Sequence, residues 1–174
     1  TSQLMSVPYA LHAKTAETVT GGVQIGDFAQ SGIVFWVDET GQHGLICAPS
    51  DQSATQWDNG SYTVTKAVRD GIGAGEFNTE RIIANQGPGN YAAQFCANYQ
   101  GGNYGDWYLP SKKELDLMYQ NRATINATAG ANGGSGFAST FYWSSTEFVS
   151  NFAWRQLFFN GNQLVSNKNL GSFR

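Results

Sequence analysis

Ser111-Lys112-Lys113-Glu114 constrains this chain more than any other stretch. A serine and a glutamate stand three apart, directly behind the run Trp107-Tyr108-Leu109-Pro110. In such a capping box the serine hydroxyl accepts the amide of the third helical residue, and the glutamate reaches back to the serine amide. A helix must start there. The spacing of Leu115, Met118 and Tyr119 carries it to about Arg122, with Leu117 nearly opposite, so the helix is covered on two sides. Further on, Phe141-Tyr142-Trp143-Ser144-Ser145-Thr146 is aromatic and β-prone, a strand in the same domain.

The remaining pattern alternates short strands with polar turns. Ile33–Val37 is a continuous apolar run, a strand buried on both faces, with a turn at Asp38–His43 and a hairpin partner at Gly44–Ala48. Residues 50–77 are polar and read as loop. Asn78 would cap a helix through about Asn85, and residues 90–99 form a second, with Ala93, Cys96 and Ala97 on one side. Residues 123–139 are small and polar and read as a long loop. Ala153–Phe159 is a strand, closed by a tight Asn160-Gly161 turn, and Gln163–Ser166 returns. The first 20 residues differ: they are Ala-rich, with Pro8 suited to a first helical turn and Gly21-Gly22 as a break. Residues 1–26 are therefore a connector or stalk segment, and residues 27–174 one domain.

Composition excludes several functions. Charged residues make up 13% of the chain and the net charge is −3, which argues against nucleic-acid binding through phosphates. No apolar run approaches membrane-spanning length. Catalysis finds few candidates. His12 lies in the connector and His43 in a turn; Asp106 and Glu114 are the best acids, and the capping box already accounts for Glu114. Gly71-Ile72-Gly73-Ala74-Gly75 lacks the Lys-Ser/Thr of a phosphate loop and reads as a flexible loop. Asp38, Glu39, Asp51 and Asp58 offer oxygen ligands for calcium without the spacing of a known calcium loop, so no cofactor is expected. Cys47 and Cys96 are either buried thiols or, in an exported protein, a disulfide.

Gly32-Ile-Val-Phe-Trp-Val37, Trp107-Tyr-Leu-Pro-Ser111 with Glu114-Leu115, Tyr142-Trp-Ser-Ser-Thr-Glu147, Ala153-Trp154 and Asn160-Gly161 together resemble the Lcl C-terminal domain family, named for a bacterial collagen-like adhesin. The resemblance covers about residues 27–174. It implies an α+β, C-type lectin-like domain: two main helices on a twisted antiparallel sheet with long loops. It also implies an extracellular or cell-surface location and surface attachment from the end of a trimeric stalk. Residues 6–16 resemble a connector of long exported and tail-fibre-like proteins of the Bacteroidetes, so a virion fibre is a second possible setting. The abrupt ends are what a piece of a longer exported protein would show. Formylglycine-generating enzymes, which share the fold, need a late cysteine pair, and this chain has no cysteine after Cys96.

These observations lead to a non-catalytic recognition tip that binds a cell-surface glycan or protein receptor through residues 148–169. Alternation in Trp154–Phe159 places Trp154, Gln156 and Phe158 on the core side, leaving Arg155, Leu157 and Phe159 outside. Phe148, Asn151, Phe152, Arg155, Leu157, Phe159 and Asn162 are the expected contact residues. Residues 148–174 carry Arg155, Lys168 and Arg174 and no acid, a basic end that suits an anionic glycan. The alternative is a structural trimerisation or capping domain of a stalk or phage-like tail fibre, with Leu157 and Phe159 buried between subunits.

Overall fold

A computed structural model describes residues 22–170. Residues 1–21 of the expected connector, His12 among them, and Arg174 lie outside the described residues; residues 22–26 are described and bond the first hairpin through Val23 N–H to Gly41 O and Gly26 N–H to Val34 O. The fold is α+β. Strands β1 (Phe28–Ala29), β2 (Gly32–Val37) and β3 (Gly44–Cys47) form one antiparallel sheet. Helices α1 (Ala74–Gln86), α2 (Ala92–Asn98), α3 (Lys112–Gln120) and α4 (Arg122–Ala131) follow. Strands β4 (Phe141–Val149), β5 (Phe152–Leu157) and β6 (Gln163–Asn167) form the second antiparallel sheet, with β5 in the middle. Four helices and two small sheets thus stand, among the described residues, where the local signals gave three helices and the resemblance implied two main helices on one sheet.

The local signals explain most elements. Ser111 Oγ accepts the Glu114 amide and Glu114 Oε2 accepts the Ser111 amide, so the capping box forms as read. Asp38 Oδ1 accepts from the amides of Thr40, Gln42 and His43 and closes the β2–β3 turn. The Asn160-Gly161 turn is wider than a two-residue hairpin. Leu157 N–H bonds Asn162 O, and Gly161 has φ 82° with its Cα against the Tyr119 ring.

Two helix readings are corrected. Asn78 is no cap: α1 starts four residues earlier, and Asn78 is buried in its second turn, bonded to the Arg69 backbone and Ser145 Oγ. The real start is Gly73, whose left-handed φ of 78° admits the chain and whose amide bonds Glu114 Oε1. The glycine-rich segment is therefore a helix entry and not a flexible loop. Part of the expected loop 123–139 is α4. Asn121 ends α3, donating its side-chain amide to Leu117 O and Phe35 O, and the chain re-enters a helix that buries Ile125 and Ala129 four apart.

The core has two clusters. One gathers β2 and β3 with Leu115, Met118, Tyr142 and Phe158; the other gathers Trp57, Ile82, Tyr91, Leu109 and Trp143. Neighbouring residues of β4 point to opposite faces, so Tyr142 enters the first cluster and Trp143 the second. β4 is the wall between them. Cys47 and Cys96 are buried thiols, one in each cluster, which settles their pairing. Burial pushes the Cys47 thiol up.

Gly75 lies where α1 crosses Tyr108. A β-carbon there would stand 2.3 Å from Tyr108 Cε2 and 2.6 Å from Glu114 Oε2. Gly75→Ala is expected to lose about 1–3 kcal/mol in chemical denaturation despite its better helix propensity. A stabilised variant would contradict this packing.

Candidate recognition surface

The second sheet presents two aromatic groups. On one face of β5, Trp154 is half-buried. Lys112 Nζ from the first turn of α3 lies 4.2 Å from its ring centroid, and Phe148 meets it edge-on at 5.9 Å. On the opposite face the Arg155 guanidinium lies 4.1 Å over Phe141, and Phe159 meets Phe141 edge-on at 6.1 Å. Phe148 is 52% and Phe159 54% exposed. These are clamped apolar side chains in water, held by aromatic and cation–π contacts.

The seven expected contact residues do not form one patch. Phe148, Asn151 and Phe152 cluster at the β4–β5 turn, whereas Leu157, Phe159 and Asn162 lie at the β5–β6 turn, with Arg155 between. Phe148, Phe159 and Asn162 are exposed; Asn151, Phe152 and Arg155 are half-buried. Leu157 is a correction: it is 7% exposed and already covered by its own chain. Trp154 is another, since it lies nearer the surface than the core. Both follow from one cause. The sheet is packed on both faces, and β5 ends at Leu157, where Phe158 N–H turns to Thr140 O and the two-residue alternation stops. Sequence reasoning missed Lys112, whose place beside Trp154 depends on α3 crossing β5.

The basic end also needs correction. Lys168 is fully buried, with Nζ 2.5 Å from Glu147 Oε1 and bonded to the carbonyls of Thr63 and Ser150. Glu147 accepts the Thr65 and Lys66 amides as well, holding Lys66 at a left-handed φ of 58°. Burial lowers the Lys168 pKa, and Glu147 and Asp58 pull it back. This pair straps the irregular segment 62–70 across the sheet end. Its charge is not on offer to a ligand.

The candidate acids are engaged in structure. Glu114 is fully buried and accepts from Gly73 N–H, Ser111 N–H and Tyr108 O–H; burial pushes its carboxyl up to about 7. His43 is exposed in the β2–β3 turn. The four proposed calcium ligands lie apart in function: Asp38 holds the β2–β3 turn, Asp51 accepts the Tyr142 hydroxyl, and Asp58 is buried near Lys168. Glu39 is exposed in that same turn. Among the described residues no three of His, Cys, Asp and Glu gather to hold a metal.

A cleft of about 500 Å³ opens beside Asp51, Gln52, Ser53 and Ser135. Its Phe137 is buried and packs on Tyr142 and Phe158, so it offers no aromatic face there. No helix among the described residues is long and apolar enough to cross a membrane. No protein-family model matches the chain, and no curated protein matches it.

Proposed function

We propose that this chain is the non-catalytic ligand-recognition tip of an exported adhesin or fibre protein, with a C-type lectin-like fold, binding a cell-surface glycan or protein. One observation carries the reading: Phe148, at the bulged end of β4, and Phe159, in the β5–β6 turn, stand half-exposed, each meeting a neighbouring aromatic ring edge-on beside a cation. Rigid aromatic side chains and arginine are enriched at the energetic centres of contact surfaces. The order of elements supports the fold assignment: a buried hairpin, two helices, a capped helix with α4 directly behind it, then an aromatic antiparallel sheet. The non-catalytic reading is supported by Glu114, whose carboxyl is enclosed by three donors and closed to solvent.

The test compares Phe148→Ala with Trp154→Ala, and Arg155→Ala with Phe159→Ala, on a glycan array and on immobilised host-surface proteins. One pair is expected to lose roughly tenfold or more in affinity while the other keeps it. Unchanged binding in all four variants would sink the reading.

A further inference from the structure

The free edge of the second sheet carries an inference independent of ligand recognition. β6 is paired on one side only, to β5. The bonds from Leu157 N–H to Asn162 O and from Lys168 N–H to Asn151 O fix the phase of that pairing. Antiparallel alternation then turns the backbone groups of Leu164 and Ser166 toward β5, and those of Gln163, Val165 and Asn167 outward. Among the described residues no backbone group bonds the outward amides and carbonyls of Gln163 or Val165; the Asn167 carbonyl takes the Leu170 amide.

Other edges are blunted or covered. β1 is two residues long, β3 is buried along its four residues, and the β4 amides of Ser145 and Glu147 are taken by Pro110 O and Ala67 O. β6 has five residues, Gln163-Leu-Val-Ser-Asn167, with no charge, proline or glycine. It lacks the usual protection against edge-to-edge pairing.

We propose that β6 pairs antiparallel with β6 of a second copy of this chain, about a two-fold axis through Val165, joining two sheets into one. In that register Val165 faces Val165 and Gln163 faces Asn167, so the outward set maps onto itself and every outward amide meets a carbonyl. The side chains agree. Two β-branched valines meet at the centre, a favourable cross-strand pair. Gln163 donates through Nε2 to Lys112 O, which leaves Oε1 to accept; Asn167 accepts through Oδ1 from Tyr62 and Asn169, which leaves Nδ2 to donate. No like charges are opposed. An extended segment of another protein would satisfy the backbone equally, but it is this self-complementarity that favours a second copy. The product is a two-fold pair and not the three-fold assembly implied by the stalk resemblance.

Sedimentation velocity over a wide concentration range tests it, with Val165→Lys as the disrupting variant. The parent is expected to be a dimer, and the lysine variant a monomer with an unchanged circular dichroism spectrum, since its new charges would meet across the axis. A second measurement avoids any folding ambiguity. Val165→Cys treated with a short bis-maleimide should give covalent dimer, whereas Ser139→Cys, exposed elsewhere, should not; Cys47 and Cys96 are buried and do not compete. A parent that stays monomeric, a trimer indifferent to Val165→Lys, or equal crosslinking of the two cysteine variants would each overturn the proposal.

Discussion

Lys168→Met is expected to destabilise the domain by about 3–5 kcal/mol, the cost of leaving one member of a buried ion pair without its partner. Against a typical total of about 5–15 kcal/mol, that removes much of the folded population. The remaining Glu147 carboxylate would still accept the Thr65 and Lys66 amides but would lose its Lys168 partner, with Asp58 buried close by. Glu147→Gln combined with Lys168→Met should cost less than the lysine substitution alone, because no uncompensated charge is left inside. Chemical denaturation of the two singles and the double gives the coupling directly. Strictly additive losses would show that the pair does not act as a unit.

The second large effect is a dependence on pH centred on Glu114. Its ordinary value is 4.5, and burial raises it to about 7 in the folded protein. Between those values the folded state holds a proton that the unfolded state has released. The contribution of this group is therefore greatest below about pH 4.5, declines as pH rises, and is lost above about pH 7. The full span is about 3 kcal/mol. Glu114→Gln should abolish that slope. It should also be less stable than the parent in acid, because an amide that keeps Gly73 and Tyr108 as donors sets its own NH₂ against the Ser111 N–H; such a mismatch costs about 1–3 kcal/mol. Denaturation midpoints from pH 4.5 to 8 decide it: a parent curve with the same slope as the variant would place the pH dependence elsewhere.

What the sequence disclosed follows from distance along the chain. The capping box and the β2–β3 hairpin are written in a few consecutive residues, and both form as read. Asn78 failed as a cap because α1 takes its first bond from Glu114, 41 positions away. α4 was hidden because Ile125 and Ala129, its buried pair, sit among Thr, Asn and Gly residues that favour loops. At the candidate surface, alternation told which residues of β5 share a face. It could not tell that both faces are packed, which is why Leu157 and Trp154 exchanged places relative to expectation. Lys168 looked like surface charge because its acceptors lie far back along the chain, Glu147 and Ser150 at the end of β4 and Thr63 105 positions away.

The strap also sets an order of assembly. Thr63 and Lys168 are 105 positions apart, and Thr65 and Glu147 are 82 apart. A ribosome must finish β6 before segment 62–70 can close, so Val64 and Val68, still exposed in the finished fold, belong to the last piece to dock. Closing loops of that length costs chain entropy before the contact rewards it, so these polar contacts are expected to form late in folding. Weakening them should accelerate unfolding far more than it slows refolding, so the lifetime of the native state, as distinct from the speed of reaching it, is held at Glu147 and Lys168.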